Sequence, residues 1–570
     1  MKKITAFLLA GLLAGTMYIP TPVYAVQTAA SKEKAGVKNT VVVNNPSSGT
    51  NAETVNGSAS GTDTKTVSSS SSGTDAETAS NSASGNNSKI ANSTASGTDT
   101  EDKDDVITLR VCNWEEYIDT GDWSEDETID LDSGDIFGKN SLIDDFETWY
   151  YQTYGKKVRV EYSTFGTNED LYNMLTLGDV YDLICPSEYM IMKLMSEDQL
   201  VPLSDHFYDT DDPNNYYMRG VSPYINNIFQ TKEINGEVWG KYAAGYMWGI
   251  TGIVYNPKYI TEDEASTWTI FDNPKFRRQL TIKDNVRDSY FMAIGALKSK
   301  ELTSARFLND PNYHQNLEDV MNDTSPEMIS QVQNYLQDVK DNVYSFETDA
   351  GKADMITGKV LANYQWSGDA VYTMDQADED NYTLNFAVPK ESTNIYFDGW
   401  VMLKRGIGKD MEKQKAAEAF INFLSRPDNV IRNMYYIGYT SVISGGSDPR
   451  IFEYLKWNYG AEPDEKNTVD YDVNYFFSPD GTGNYVLKVP EEQTKRQLSA
   501  QYPSSDAISR SSIMIYFNPE KNSAINQMWV NVRCFNILKM PPWGWILTIA
   551  AAAGIVWLAV LRVRKSRQGK

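Results

Sequence analysis

VITLRVCNWEEY, Val106 to Tyr117, is the stretch on which the fold turns. Val106, Ile107, Leu109 and Val111 crowd apolar, partly β-branched side chains into one short segment, the pattern of a strand buried in a sheet. A loop follows at once, carrying Trp114, Glu115, Glu116 and Tyr117. In open α/β sheets ligands sit beyond the carboxyl ends of strands, so this loop is a candidate site. Aromatic faces beside negative charge suit an organic cation. An amphipathic loop that merely closes a core would have the same composition.

Upstream, residues 26–105 are mostly Ser, Thr, Gly, Asn and Ala, and SGTNAET from Ser48 returns as SGTDAET from Ser72. Such a run cannot bury enough apolar surface to offset the entropy of ordering, so a disordered linker is expected. Before it, Lys2 and Lys3, an apolar core from Ile4 to Met17, and Val23-Tyr24-Ala25 read as an export signal over residues 1–25, cleaved after Ala25. At the other end Pro541 to Leu561 is uncharged and mostly apolar, with Trp543 and Trp545 near its start. Arg562, Arg564, Lys565, Arg567 and Lys570 follow it. The pattern predicts a transmembrane helix over 541–561 with a cytoplasmic basic tail, 562–570, and an outward-facing body.

The 77 acids outnumber the 52 bases, a formal charge of -25. That balance disfavours nucleic acid, whose affinity comes from Lys and Arg on phosphates. With two histidines in the chain, His206 and His314, a zinc site or a His-based catalytic triad is not expected. Neither a dinucleotide fingerprint nor a phosphate-binding glycine loop is present. Three cysteines cannot make a disulfide framework. Cys112 and Cys185 each end an apolar run and are read as buried small hydrophobes of one sheet; Cys534 has no pairing partner left.

Downstream, strands and helices alternate, which argues α/β. Ile118 to Gly138 is rich in acids, among them Asp119, Asp122 and Asp130, without calcium-loop spacing, and a solvated loop is expected. Leu142 to Tyr154 has helical spacing and Lys157 to Tyr162 reads as a strand. Tyr181 to Ile184, another strand, ends in CPSEY, Cys185 to Tyr189. YMWGITGIVY, Tyr246 to Tyr255, suits a crossing between lobes, Gly249 and Gly252 being free to take unusual dihedrals. Leu280 to Ile282 runs into KDNVRDSY, where Asp284 or Asn285 caps the helix that carries Asp288. Val360 to Tyr364 ends in QWSGDA with Trp366 and Asp369, and NIYFDGWVML is a second crossing, with Tyr396 and Asp398. Ala416, Ala419, Phe420, Phe423 and Leu424 mark an amphipathic helix that stops before Pro427.

In this order CNWEEY, YDLICPSEY, YMWGITGIVYNP, QLTIKDNVRDSYFMAI, YQWSGDA, NIYFDGWVML and AAEAFINFLSRPDNVIRNMYYIGYTS resemble the bacterial spermidine/putrescine-binding proteins of ABC uptake systems, within the periplasmic-binding-protein group. The resemblance runs from Val106 to about Ile443, fades between Pro449 and Val489, and returns near YPSSDAI at Tyr502. It implies an α/β, two-lobed periplasmic-binding-protein-like fold with hinge crossings. Lobe 1 would comprise 106–250 and 396–445, and lobe 2 would comprise 251–395 and 446–539. It further implies a polyamine held between aromatic walls and carboxylates. On the matching positions Trp114, Tyr117, Trp366 and Tyr396 would be walls, Glu116 and Asp288 ammonium acceptors and Asp398 the central carboxylate. Ser187, Tyr189 and Tyr439 would be further contacts. Asn285 stands where the family has a second acid, and Asp369 compensates for the missing charge.

The implied function is an outward-facing receptor, anchored by its C-terminal helix, that hands a polyamine to a permease and an ATPase. Rival readings are a receptor for another cationic solute, a ferric site using Tyr435, Tyr436 and Tyr439, or a sensor whose closure a partner reads. No nucleophile and base pair is visible, so neither an enzyme nor a cofactor is expected.

Overall fold

Val111 and its neighbours form a strand in the computed structural model, which describes residues 106–534 apart from 125 and 126, together with Ala550, Ala553, Gly554 and Trp557. Strand β1 (Ile107–Trp114) buries Leu109, Val111 and Cys112 completely. After it come β2 (Val158–Phe165), β3 (Leu183–Ile184), β4 (Leu200–Val201) and a small hairpin, β5 (Glu233–Ile234) with β6 (Glu237–Val238). The long β7 (Ala243–Tyr255) precedes β8 (Leu280–Lys283), β9 (Ser345–Glu347), β10 (Ala362–Trp366) and β11 (Asn385–Ala387). A second long strand, β12 (Thr393–Leu403), is followed by β13 (Thr440–Ser441), β14 (Thr468–Asp472), β15 (Val486–Pro490) and β16 (Ser511–Ser512).

Along one path the strand order is β2-β1-β3-β12-β7-β10-β8-β9. The outer parts are parallel: β1 pairs with β2 and β3, and β8 pairs with β10 and β9. Between them β7 and β12 run antiparallel to each other and to their neighbours β10 and β3. Each parallel set therefore hangs on one of the two central strands, β3 on β12 and β10 on β7. Every residue of β7 and of β12 is buried, as continuous apolar runs covered on both faces must be.

One residue breaks the β7–β12 register. Asp398 faces Met247 but Gly399 faces Gly245, so Tyr246 is an extra residue on β7. Such bulges re-aim side chains. Here the Tyr246 hydroxyl donates to the carbonyl of Tyr117 at 2.7 Å and accepts from Asn433 Nδ2 at 2.8 Å. Gly249 and Gly252 serve space rather than unusual dihedrals, since neither has a positive φ. A Cβ on Gly249 would overlap Ser367 Oγ and Tyr396 Oη, and one on Gly252 the Phe386 ring and the Ala387 carbonyl. Gly252→Ala is expected to cost about 1–3 kcal/mol of stability, as overpacking does, which a thermal melt would read.

Helix ends follow their caps. Ser141 accepts from the Asp144 amide to open Leu142–Tyr154, and Asp410 opens Met411–Leu424. Pro427 starts the next helix, Pro427–Ile437. Of the two candidates for the cap of Val286–Leu297, Asn285 holds the place, accepting from the amides of Arg287 and Asp288. Asp284 instead pairs with Arg533 at 2.6 Å. Cys112 and Cys185 are both buried and free, with the Cys185 amide on the Cys112 carbonyl at 3.1 Å. The segment after Pro449 forms a helix, Arg450–Tyr459, and the β14–β15 hairpin. Its Phe476 stacks on Trp248 of β7, centroids 5.5 Å apart.

The acidic stretch after Tyr117 is not a solvated loop throughout. Ile118, Trp123, Ile129, Leu131 and Ile136 are buried, and Asp119 is wholly so. The cause is a cation from distant sequence: Arg432 donates to Asp119, to Asp145 at 2.7 Å and to the carbonyl of Asn140. A second expectation is overturned at the C-terminus, where among the described residues no helix is long and apolar enough to cross a membrane. Of the stretch 541–561 only Ala550, Ala553, Gly554 and Trp557 are described. The expected membrane anchor and single-pass placement rested on that same helix. The expected export signal, the Ser/Thr/Gly-rich run and the basic tail lie outside the described residues.

Candidate functional site

Five strand ends converge. The chain beyond the carboxyl ends of β1, β2 and β3 brings Tyr117, then Asn168 and Glu169 at the start of the helix Asn168–Leu177, and Ser187; the carboxyl ends of β8 and β10 bring Lys283 and Trp366. Asp398 comes from the middle of β12, next to the bulge. Its carboxylate accepts from Tyr117 Oη at 2.8 Å and from Ser187 Oγ at 2.7 Å. A carboxylate offers about four lone-pair positions, so both oxygens retain room for another donor.

From Asp398 the contacts close into a circuit. Asn168 Nδ2 donates to Ser187 Oγ at 3.1 Å and to Tyr189 Oη at 3.0 Å, while Tyr189 Oη donates to Glu169 at 3.2 Å. The Arg287 guanidinium lies 4.4 Å from the Tyr189 ring centre and 4.0 Å from that of Phe517. On the same helix Asp288 accepts from Trp366 Nε1 at 3.4 Å. Trp366 lies under Lys283, whose ammonium is 3.9 Å from the ring centre and 3.3 Å from Asp369. Tyr439 Oη donates to Asp369 at 3.0 Å, and the Tyr439 ring meets Tyr117 edge-on at 4.8 Å. Tyr396 Oη sits 3.3 Å from Ser367 Oγ, inside this ring of residues.

Two of the residues singled out from the sequence stand aside. Trp114 is half-buried and packs on Phe165 at 4.7 Å. Glu116 is exposed, with a positive φ of 53°, and reaches the site only through its charge, which helps raise the Lys352 ammonium. Conversely Asn168, Glu169, Glu188, Lys283, Arg287 and Lys352 were not singled out. The carboxyl end of β2, FGTNED, carried the same strand-end signal as CNWEEY and would have pointed to Asn168 and Glu169. For the three cations no local signal exists.

Burial governs the electrostatics. It pushes Asp398 up to about 6 against the hydrogen bonds of Ser187 and Tyr117. Asp288 also rises to about 6 through burial, opposed by Lys283 and Trp366. Glu188, which accepts from the Phe397 amide at 3.1 Å, is pushed by burial up to about 8. Asp369 behaves oppositely. Burial raises it, but Lys283 and Lys352 more than offset that and hold it below its ordinary value. Arg287 is lowered by burial, with Tyr189, Glu169, Glu188 and Asp288 opposing. Tyrosine and tryptophan rings thus gather around Asp398 and Asp288, neither of which has an ion pair among the described residues. Such a place can exchange water around a small organic cation for π faces and carboxylate oxygens. Among the described residues no group of His, Cys, Asp and Glu is arranged to hold a metal.

A family model described as bacterial extracellular solute-binding protein matches residues 141–452. The spermidine/putrescine-binding periplasmic protein of Escherichia coli is 24% identical over 339 residues, 59% of this chain and 78% of that protein. The putrescine-binding periplasmic protein PotF of the same organism is 22% identical over 318 residues, covering 54% and 76%. Among solved structures the TpPotD lipoprotein of Treponema pallidum superposes with a TM-score of 0.50 at 18% identity, over 75% of this chain and 100% of that one. That likeness is one of fold: a two-lobed α/β architecture whose strands cross between lobes.

Proposed function

The chain belongs to the bacterial extracellular solute-binding proteins, and from that premise we propose that it captures a polyamine of the spermidine and putrescine class for an ABC permease and its ATPase. The observation that carries this reading is Asp398, a buried carboxylate on the central strand β12, oriented by Tyr117 and Ser187 and close to the rings of Tyr117 and Tyr439. Relatives named for binding spermidine and putrescine support the choice of amine. In this reading Asp398 and Asp288 accept ligand ammonium groups, and Tyr117, Tyr189, Trp366, Tyr396 and Tyr439 enclose the methylenes. Ser187 holds the central carboxylate in place. Each parallel set of strands with its helices acts as one lobe, and β7 and β12 are the crossings about which the lobes close.

Titration calorimetry with putrescine and spermidine tests the proposal; an absence of heat for both at millimolar ligand would overturn it. The pH dependence follows from the raised carboxyls. Ligand ammonium groups near an ordinary amine pKa of about 10 stay charged throughout. Asp398 and Asp288, titrating at about 6, are anions at pH 7 and take up protons below 6, losing their attraction for a cation. Affinity is therefore expected to fall as pH drops from 7 to 5, by roughly tenfold for each carboxylate the ligand engages. A flat profile over this range would remove both residues from the site.

A further inference from the structure

We infer that Lys283 is a built-in ammonium that fills one cation subsite of the cleft, so that the remaining space takes a short diamine in preference to a triamine. The inference rests on the amine reading above and names the ligand's length within it. Lys283 leaves the end of β8 with its side chain 1% exposed. Its ammonium lies 3.9 Å from the Trp366 ring centre, 3.3 Å from Asp369 Oδ2 and 3.0 Å from the carbonyl of Thr348, to which it donates. An aromatic face, a carboxylate and a carbonyl converging on one point is the set that a desolvated ligand ammonium requires. Here the protein supplies its own.

Packing alone does not call for this cation. Burying an ammonium is costly unless it is paired, and Asp369 has another partner in Lys352, 3.6 Å away and one-fifth exposed. With two lysines on one carboxylate, this end of the cleft repels a further cation. Asp398 is different: it is met by two hydroxyls and has no ion pair among the described residues, while Asp288, also without one, accepts from the indole N–H of the Trp366 that Lys283 covers. Two carboxylates open to ligand match two ammonium groups. A third ammonium would compete with Lys283 for Trp366 and Asp369.

Lys283→Met decides the matter, with putrescine and spermidine titrated into both proteins and folding followed by a thermal melt. The native chain is expected to bind putrescine more tightly. The variant keeps the apolar stem, frees Trp366, Asp369 and the Thr348 carbonyl, and should shift the affinity ratio toward spermidine by about thirtyfold, the worth of a desolvated cation on an indole face. An unchanged ratio, with both proteins still binding amines, overturns the inference and leaves the amine reading standing. Failure of both proteins to bind either amine overturns both. Should the variant not fold, the native chain alone decides, because tighter binding of spermidine than of putrescine contradicts a filled subsite.

Discussion

Asp398→Ala is expected to weaken amine binding by roughly a hundredfold or more, since a buried ammonium deprived of its carboxylate costs about 3–5 kcal/mol. Asp398→Asn sharpens the test. Tyr117 and Ser187 donate to different oxygens of Asp398, at 2.8 and 2.7 Å; the amide keeps one of these acceptors, offers the other hydroxyl an N–H to accept, and removes the charge. In the folded protein this carboxyl titrates at about 6 against an ordinary 3.8. A group whose folded value is raised opposes folding once it ionises, so the penalty is absent below the ordinary value and complete above 6. At pH 7.5 the Asn variant should therefore melt at or above the native temperature while losing most of its affinity. Parallel loss of both would mean that Asp398 holds the fold together and has no special part in binding.

The second large effect concerns stability. Asp119→Ala is expected to cost about 3–5 kcal/mol, because it leaves the buried Arg432 guanidinium short of a counter-charge. Asp119 also accepts from the Gly121 amide at 2.7 Å and Trp123 Nε1 at 3.2 Å, while its own amide donates to Asn433 at 2.8 Å. One carboxylate thus fastens the loop after Tyr117 to the helix Pro427–Ile437. Removing Arg432 as well, as Arg432→Met, takes away the stranded charge, so the double variant should be less destabilised than the sum of the two single ones. Additive losses by chemical denaturation would show that the pair contributes nothing as a pair.

Asp119 also shows where reading a sequence stops. The strand β1, the strand that runs into CPSEY and the long strands β7 and β12 were legible because each is a continuous apolar run whose burial is written into its own residues. An acid in an acidic stretch looks solvated until a cation more than three hundred positions away is seen against it, |i−j| being 313 for Arg432. Lys283 is a similar case. It sits in KDNVRDSY between residues that were weighed, yet its partner Asp369 and the ring of Trp366 belong to another strand end. Local pattern places Tyr117, Ser187, Asp288, Asp369 and Asp398 at strand ends or crossings, and the circuit they form is a property of the sheet order. The expected spanning helix rested on hydropathy, two tryptophans and a basic tail, and among the described residues no helix is long and apolar enough to cross a membrane.

The interlocked strands also constrain how the molecule is made. Tyr117 and Ser187 meet Asp398 across 281 and 211 positions of chain, and β7 cannot be flanked on its central edge until β12 has been synthesised. Each parallel set comes from one contiguous stretch, 107–184 and 280–366, but a nascent chain ending near residue 390 still lacks β12, the neighbour of both β3 and β7. Closing loops of this length must precede any reward from pairing, which makes acquisition of structure slow and all-or-none in character. Until β12 is made, one edge of the apolar strand β7 is left waiting for it.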